Sequence, residues 1–101
     1  MKVTINKEEK ATVVFLTSRL DTPSAQEVSK AMEPVVADAS GTIILDCSGL
    51  EYISSSGLRI FLTVRKAAAV QGGKVIVKGI NSDIRNVFMM TGFLNLFEIE
   101  A

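Results

Sequence analysis

Short β-branched, aliphatic runs alternate along this chain with longer stretches in which apolar residues recur at steps of three and four. That alternation of periods restricts the fold more than any other property of the sequence, because a strand carries a period of two and a helix one of 3.6. Lys2 to Ile5 alternates polar and apolar, Lys7, Glu8, Glu9 and Lys10 interrupt it, and Ala11 to Leu16 resumes the apolar run. The pattern predicts a strand, a charged turn and a second strand. Asp21 followed by Thr22 and Pro23 is a helix start, with a capping side chain and a Pro at the first helical position. Ala25, Val28, Met32, Val35, Val36 and Ala39 then form one apolar stripe, leaving Gln26, Glu27, Lys30 and Glu33 for solvent. Pro34 lies inside that stripe, so a kink or an early end is expected there.

Ala39, Ser40 and Gly41 break the helix, and Thr42 to Leu45 fits a central strand buried on both faces. Asp46 to Ser56 is polar and reads as a turn-rich loop around Leu50 and Tyr52. A second helical stripe starts at Gly57, with Leu58, Phe61, Leu62, Ala68 and Ala69 facing inward and Arg59, Arg65 and Lys66 off it. Gly72 and Gly73 stop it, Lys74 to Ile80 reads as a strand, and Asn81 or Ser82 caps a third helix with Ile84, Val87 and Phe88 on its apolar face. Gly92 ends that helix, Met89 and Met90 near its end read as packing residues, and Phe93 to Ile99 is expected to form a last strand. Strands alternating with crossover helices predict an α/β domain: a mixed, mostly parallel sheet of about five strands with helices packed on it.

Composition narrows the chemistry. The chain has 101 residues, the usual size of one domain, so residues 1 to 101 are expected to share a single core. At 48% hydrophobic and 22% charged it lies in the folded, globular range. Eleven basic residues balance eleven acidic ones, which leaves no excess charge for nucleic acid or an anionic membrane. Cys47 is the one cysteine and histidine is absent, which removes disulfides within the chain, histidine metal sites and Ser-His or Cys-His nucleophile pairs. No metal or cofactor is therefore expected, and the domain should be stable without either. No run of roughly 18 apolar residues occurs, so neither a signal peptide nor a membrane span is predicted and the expected compartment is the cytoplasm.

The chemistry concentrates at three consecutive serines, Ser54, Ser55 and Ser56, followed by Gly57 at the start of an apolar helix. Backbone N–H groups and the positive end of the helix dipole gather at such a start, and they accommodate a serine oxygen or a phosphate carried on one. Spacing alone leaves two readings: a capped helix, or a modified serine. A catalytic serine fits poorly, since the glycines of a nucleophile elbow, a histidine base and an S-x-x-K spacing are all missing. The chain is therefore not expected to be an enzyme.

The run DCSGLEYISSSGLR from Asp46 to Arg59 resembles the signature of STAS domains, the module shared by sulfate transporters and bacterial anti-sigma factor antagonists. Ser18, Arg19, Leu20 and Asp21 before the first helix, and VFMMTGFLNLFEI from Val87 to Ile99, extend the resemblance over nearly the whole chain. The resemblance implies a phosphorylation-switched binding module with Ser56 as the phosphoacceptor and Ser55 as the alternate. Such a module docks, unphosphorylated, on an ATP-dependent anti-sigma factor serine kinase, is released when phosphorylated, thereby regulates transcription, and is reset by a serine phosphatase. Asp21, Thr22, Ser54, Ser55, Ser56, Gly57, Leu58 and Arg59 are the expected partner-contacting residues, in a protein expected to be a monomer. Ser54 stands where the antagonists usually carry Asp, which removes one negative charge. Many relatives continue into a C-terminal helix where this chain stops at Glu100 and Ala101, so that helix is expected to be absent or truncated. The alternative within the same fold is a non-switching cytoplasmic subunit, for example of a lipid-transport ATPase.

Outside that loop the expected roles are structural. Asp21 is read either as a helix cap or as a partner contact, Asp46 as a turn-former accepting backbone N–H bonds, and Cys47 as a small core residue.

Overall fold

The computed structural model describes residues 3–100. β1 (Val3–Lys7) and β2 (Ala11–Leu20) pair antiparallel, with Glu8 N–H donating to Ala11 O at 2.7 Å in the turn. β3 (Thr42–Ile53), β4 (Lys74–Lys78) and β5 (Glu98–Glu100) follow in the order β1-β2-β3-β4-β5, each parallel to the strand before it. Every parallel step needs a crossover. α1 (Thr22–Ala31) and α2 (Glu33–Ala37) supply the first, α3 (Ser55–Gln71) the second, and α4 (Ser82–Thr91) with a 3-10 turn (Phe93–Asn95) the third. The expected α/β architecture and the central position of β3 are both observed. Lys2, assigned to the first strand from sequence, lies outside the described residues.

Pro34 has the anticipated effect. The helical stretch breaks at Met32, and the restart at Glu33 puts Pro34 in the first turn of α2, where its missing N–H leaves no bond unmade. Asp21 caps α1, Asn81 caps α4 by accepting from Ile84 N–H at 2.8 Å, and Gly72 and Gly92 close α3 and α4 with φ of 81° and 80°. β4 ends at Lys78, two residues before the strand end read from sequence, and Gly79 turns the chain there with φ 75°.

Four expectations are corrected. Residues 46 to 53 are strand, not loop: the far half of β3 pairs with an equally extended β2 through Thr17↔Gly49, Ser18↔Leu50, Arg19↔Tyr52 and Leu20↔Ile53. From Phe15 to Thr17 the partner advances from Asp46 to Gly49, and from Ser18 to Arg19 it advances from Leu50 to Tyr52, so β3 carries an extra residue at each step. These two bulges break the apolar alternation that would have marked the segment as strand. Ser18 takes the strain there, with φ 67°.

Secondly, β3 is not buried equally on both faces. Ile43, Leu45 and Cys47 join the helix residues in the core, whereas Val13, Phe15, Ile44 and Ile76 occupy the opposite sheet face, apart from that cluster. Thirdly, Phe93 to Ile99 is not one strand. Gly92 reverses the chain, Phe93–Asn95 form a 3-10 turn in which Leu96 and Phe97 N–H both donate to Phe93 O, and only Glu98–Glu100 pair as strand, with Phe93 and Phe97 buried in the core. Finally, Met89, Met90 and Ala69 are not packing residues; Met89 and Met90 are 62% and 84% exposed, on the solvent side of α4.

An aromatic cluster closes the core between α3 and the C-terminal segment. Phe88 sits at its centre, with ring centroids 6.0 Å from Phe61, 5.6 Å from Phe93 and 6.2 Å from Phe97.

Candidate functional site

Because β2 and β3 run parallel, the helices that follow them start at the same end of the sheet. A backbone bond ties the two starts together, Ser54 N–H donating to Leu20 O at 2.8 Å. On the α1 side, Asp21 Oδ1 accepts from Ser24 N–H at 3.0 Å and from the Ser24 hydroxyl at 2.7 Å. The hydroxyl bond, then the backbone bond, hold the Asp21 carboxyl below the ordinary carboxylate range. Its contribution to stability is therefore present above that ordinary range and is lost as pH falls through the lowered value. Asp21 thus works as a cap, one of the two roles read for it.

On the α3 side the three serines divide their tasks. Ser54 is buried, at 8% exposure, and its Oγ accepts from Gly57 N–H at 3.2 Å, so it is the cap. Ser55 is the first helical residue and is exposed; Ser56 is the second and is half-buried. Gly57 is required by close approach: a Cβ there would stand 2.7 Å from Leu20 Cγ and 2.9 Å from Ile53 Cγ1. Leu58 points into the core, so Gly57 and Leu58 pack the helix start onto the sheet.

The Ser54 hydroxyl supplies the acceptor that a carboxylate would otherwise supply, without the charge. Ser54→Ala is expected to lower unfolding free energy by about 1 kcal/mol, whereas Ser54→Asp should keep the cap. Urea denaturation of the three proteins checks this, and an unchanged Ser54→Ala midpoint would remove the cap from the account.

Ser56 opens into a groove between α1 and α3 with a volume of about 420 Å³. Thr22, Ala25, Gln26 and Ser29 form the α1 wall, and Ser56, Arg59, Ile60 and Thr63 the α3 wall. The structure thus brings together Thr22, Ser56 and Arg59 from the residues singled out in sequence, and leaves Ser55 outside the groove. Gln26, Ser29 and Thr63 were missed. Their signal was present as a polar row at positions 22, 26 and 29, spaced as one face of a helix, which reads as an ordinary solvated side until α3 is placed opposite.

The same end of the sheet carries a pair no local pattern shows. Arg19 lies 4.4 Å over the centre of the Tyr52 ring, because the bulged pairing of β2 with β3 sets the two residues opposite each other. Behind the site, Asp46 accepts from Ser48 N–H at 3.0 Å and from the Ser48 hydroxyl at 2.6 Å, so it takes the backbone N–H expected of it, but within β3 beside a bulge and not in a turn. Burial, then the Asp46 charge, push the Cys47 thiol up to about 12, so it stays protonated and unreactive at neutral pH. Among the described residues no cluster of His, Cys, Asp and Glu is arranged to hold a metal ion, and no helix is long and apolar enough to cross a membrane.

Comparison with known proteins places this geometry among relatives. A family model described as STAS domain matches residues 2–101. BtrV of Bordetella bronchiseptica, named as a candidate anti-sigma factor antagonist, is 28% identical over 99 residues, covering 98% of this chain and 85% of its own. A candidate anti-sigma factor antagonist from Thermotoga maritima superposes with a TM-score of 0.89 at 17% identity, over 98% of this chain and 86% of that one. SpoIIAA, solved unphosphorylated as an anti-sigma factor antagonist, superposes with a TM-score of 0.76 at 17% identity, over 99% of this chain and 87% of its own. The phosphorylated Bacillus form gives 0.77 at 20% identity, over 99% and 91%. At these identities the solved structures show the shared fold.

Proposed function

Since this chain belongs to the STAS domain family, we propose that it is an anti-sigma factor antagonist that binds an anti-sigma factor and is switched by phosphorylation of Ser56. The observation that carries this reading is the division of the serine cluster. Ser54 is occupied as the cap, while Ser56 presents its hydroxyl in an open groove at the start of α3. Relatives named as antagonists, and a solved phosphorylated form of SpoIIAA, support the same reading.

In the proposed cycle the anti-sigma factor is itself an ATP-dependent serine kinase. The Ser56 Oγ bonds to the γ-phosphorus of ATP, the bond to the β-phosphate oxygen breaks to leave ADP, and the hydroxyl proton passes to a base of the kinase. A serine phosphatase returns the hydroxyl. Asp21, Thr22, Ser55, Ser56 and Arg59 surround the contact surface, with Ser54, Gly57 and Leu58 fixing its shape, and the working compartment is the cytoplasm.

Incubation with ATP and the kinases of the host, followed by intact-mass and peptide mass spectrometry, tests the proposal. One phosphate is expected, on Ser56, and none in Ser56→Ala. A phosphate on Ser54, or one that persists in Ser56→Ala, would overturn the assignment. No phosphate at all, with stable co-purification of a transport complex, would favour the non-switching subunit.

A further inference from the structure

Resting on the reading of Ser56 as the phosphoacceptor, we infer that Arg59 and the facing wall of α1 form an internal clamp that holds the phosphate in the groove between α1 and α3. Arg59 follows Ser56 by three positions, which places the two on one side of the helix, and both line the same groove. Its guanidinium makes no hydrogen bond or ion pair among the described residues. Lys7 is engaged with Asp38, Lys74 with Glu98 and Arg65 with Leu96 O, and among the described residues Arg59 is the cation that lines this groove. The groove has no carboxylate in its lining, and Asp21, next to Thr22, is turned to Ser24 as the cap of α1. Across from Ser56 stand the Thr22 and Ser29 hydroxyls and the Gln26 side-chain amide, all able to donate to phosphate oxygens. A guanidinium suits this role because its planar fork meets two phosphate oxygens at once.

Phosphorylation on this account fills the groove from within. The modified serine turns toward Arg59 and the α1 wall, whereas Ser55, four positions before Arg59 but exposed, is not part of the groove that α1 closes.

The test does not depend on any kinase. Phosphoserine is incorporated at position 56 or at position 55 during translation of the full chain, and the phosphate is titrated by phosphorus NMR. A free phosphoserine loses its second proton near a pKa of about 6. With Arg59 present, the phosphate at 56 is expected to titrate about half a pH unit lower than in the Arg59→Gln protein, with Arg59→Lys retaining part of the difference. The phosphate at 55, also one helical turn from Arg59 but without the α1 wall, should respond to Arg59→Gln clearly less than the phosphate at 56. Titration at 56 that ignores Arg59→Gln, or an equal response at 55, would overturn the clamp. Failure of host kinases to modify Ser56 while the NMR difference stands would instead count against the switching cycle alone. Arg59 is exposed, so both variants should fold, and their melting curves confirm it.

Discussion

Phosphorylation of Ser56 is expected to weaken the partner complex roughly a thousandfold while leaving the domain folded and at least as stable. A phosphate in the first turn of α3 meets the N-terminal N–H groups and the helix dipole, a favourable contribution on the order of 0.3 to 1 kcal/mol. The switch must therefore act at the interface. A docked partner has to desolvate a group of nearly two negative charges, of which Arg59 balances one, and the remainder costs several kcal/mol. About 4 kcal/mol corresponds to the thousandfold loss. Ser56→Asp carries one charge and fewer acceptor oxygens, so it should reproduce only part of the effect. Calorimetric titration of the partner against the unmodified, phosphorylated and Ser56→Asp proteins, with melting curves of each, decides the matter. Equal affinities, or a phosphorylated protein that melts much earlier, would rule the mechanism out.

The largest expected loss of stability comes from Phe88→Ala, at about 3 to 5 kcal/mol. Phe88 is fully buried and meets Phe61, Phe93 and Phe97, so its removal opens a cavity where α4 and the C-terminal segment close onto α3. Domains of this size hold about 5 to 15 kcal/mol in total, which makes the variant marginal. Phe88→Leu keeps most of the volume and should lose much less. Chemical denaturation of both variants measures the difference. A Phe88→Ala loss below about 1 kcal/mol would show that the aromatic cluster relaxes around the gap and does not hold the C-terminal segment in place.

The candidate site was legible in part for a definite reason. Ser54, Ser55, Ser56 and Gly57 stand in one stretch at a helix start, so the serine cluster is visible in sequence, and the family resemblance points to Ser56 within it. Which serine caps is not visible, because the choice depends on where β3 ends, and its pairing with β2 sets that: Leu20↔Ile53 is the last pair, and Ser54 N–H donates to Leu20 O. Gln26, Ser29 and Thr63 look like ordinary solvated positions until α1 and α3 are set side by side, and they become a groove wall only then.

Local residue types fix the features that depend on neighbours within a few positions. The caps at Asp21 and Gly92, the break before Pro34 and the alternation of strands with crossover helices follow from local residue types, which narrow the cap of α4 to Asn81 or Ser82, and the structure selects Asn81. The length of β3, the burial of one sheet face over the other and the exposure of Met89 and Met90 come from contacts between elements distant in sequence. The polar stretch from Asp46 to Ile53 is a strand because β2, far away in sequence, offers it hydrogen bonds in a register that two bulges adjust, and no local propensity encodes a partner's register. The aromatic cluster shows the same physics: Phe93 and Phe97 turn inward because Phe61 and Phe88 are already there to receive them, a packing gain larger than the strand preference of the residues around them.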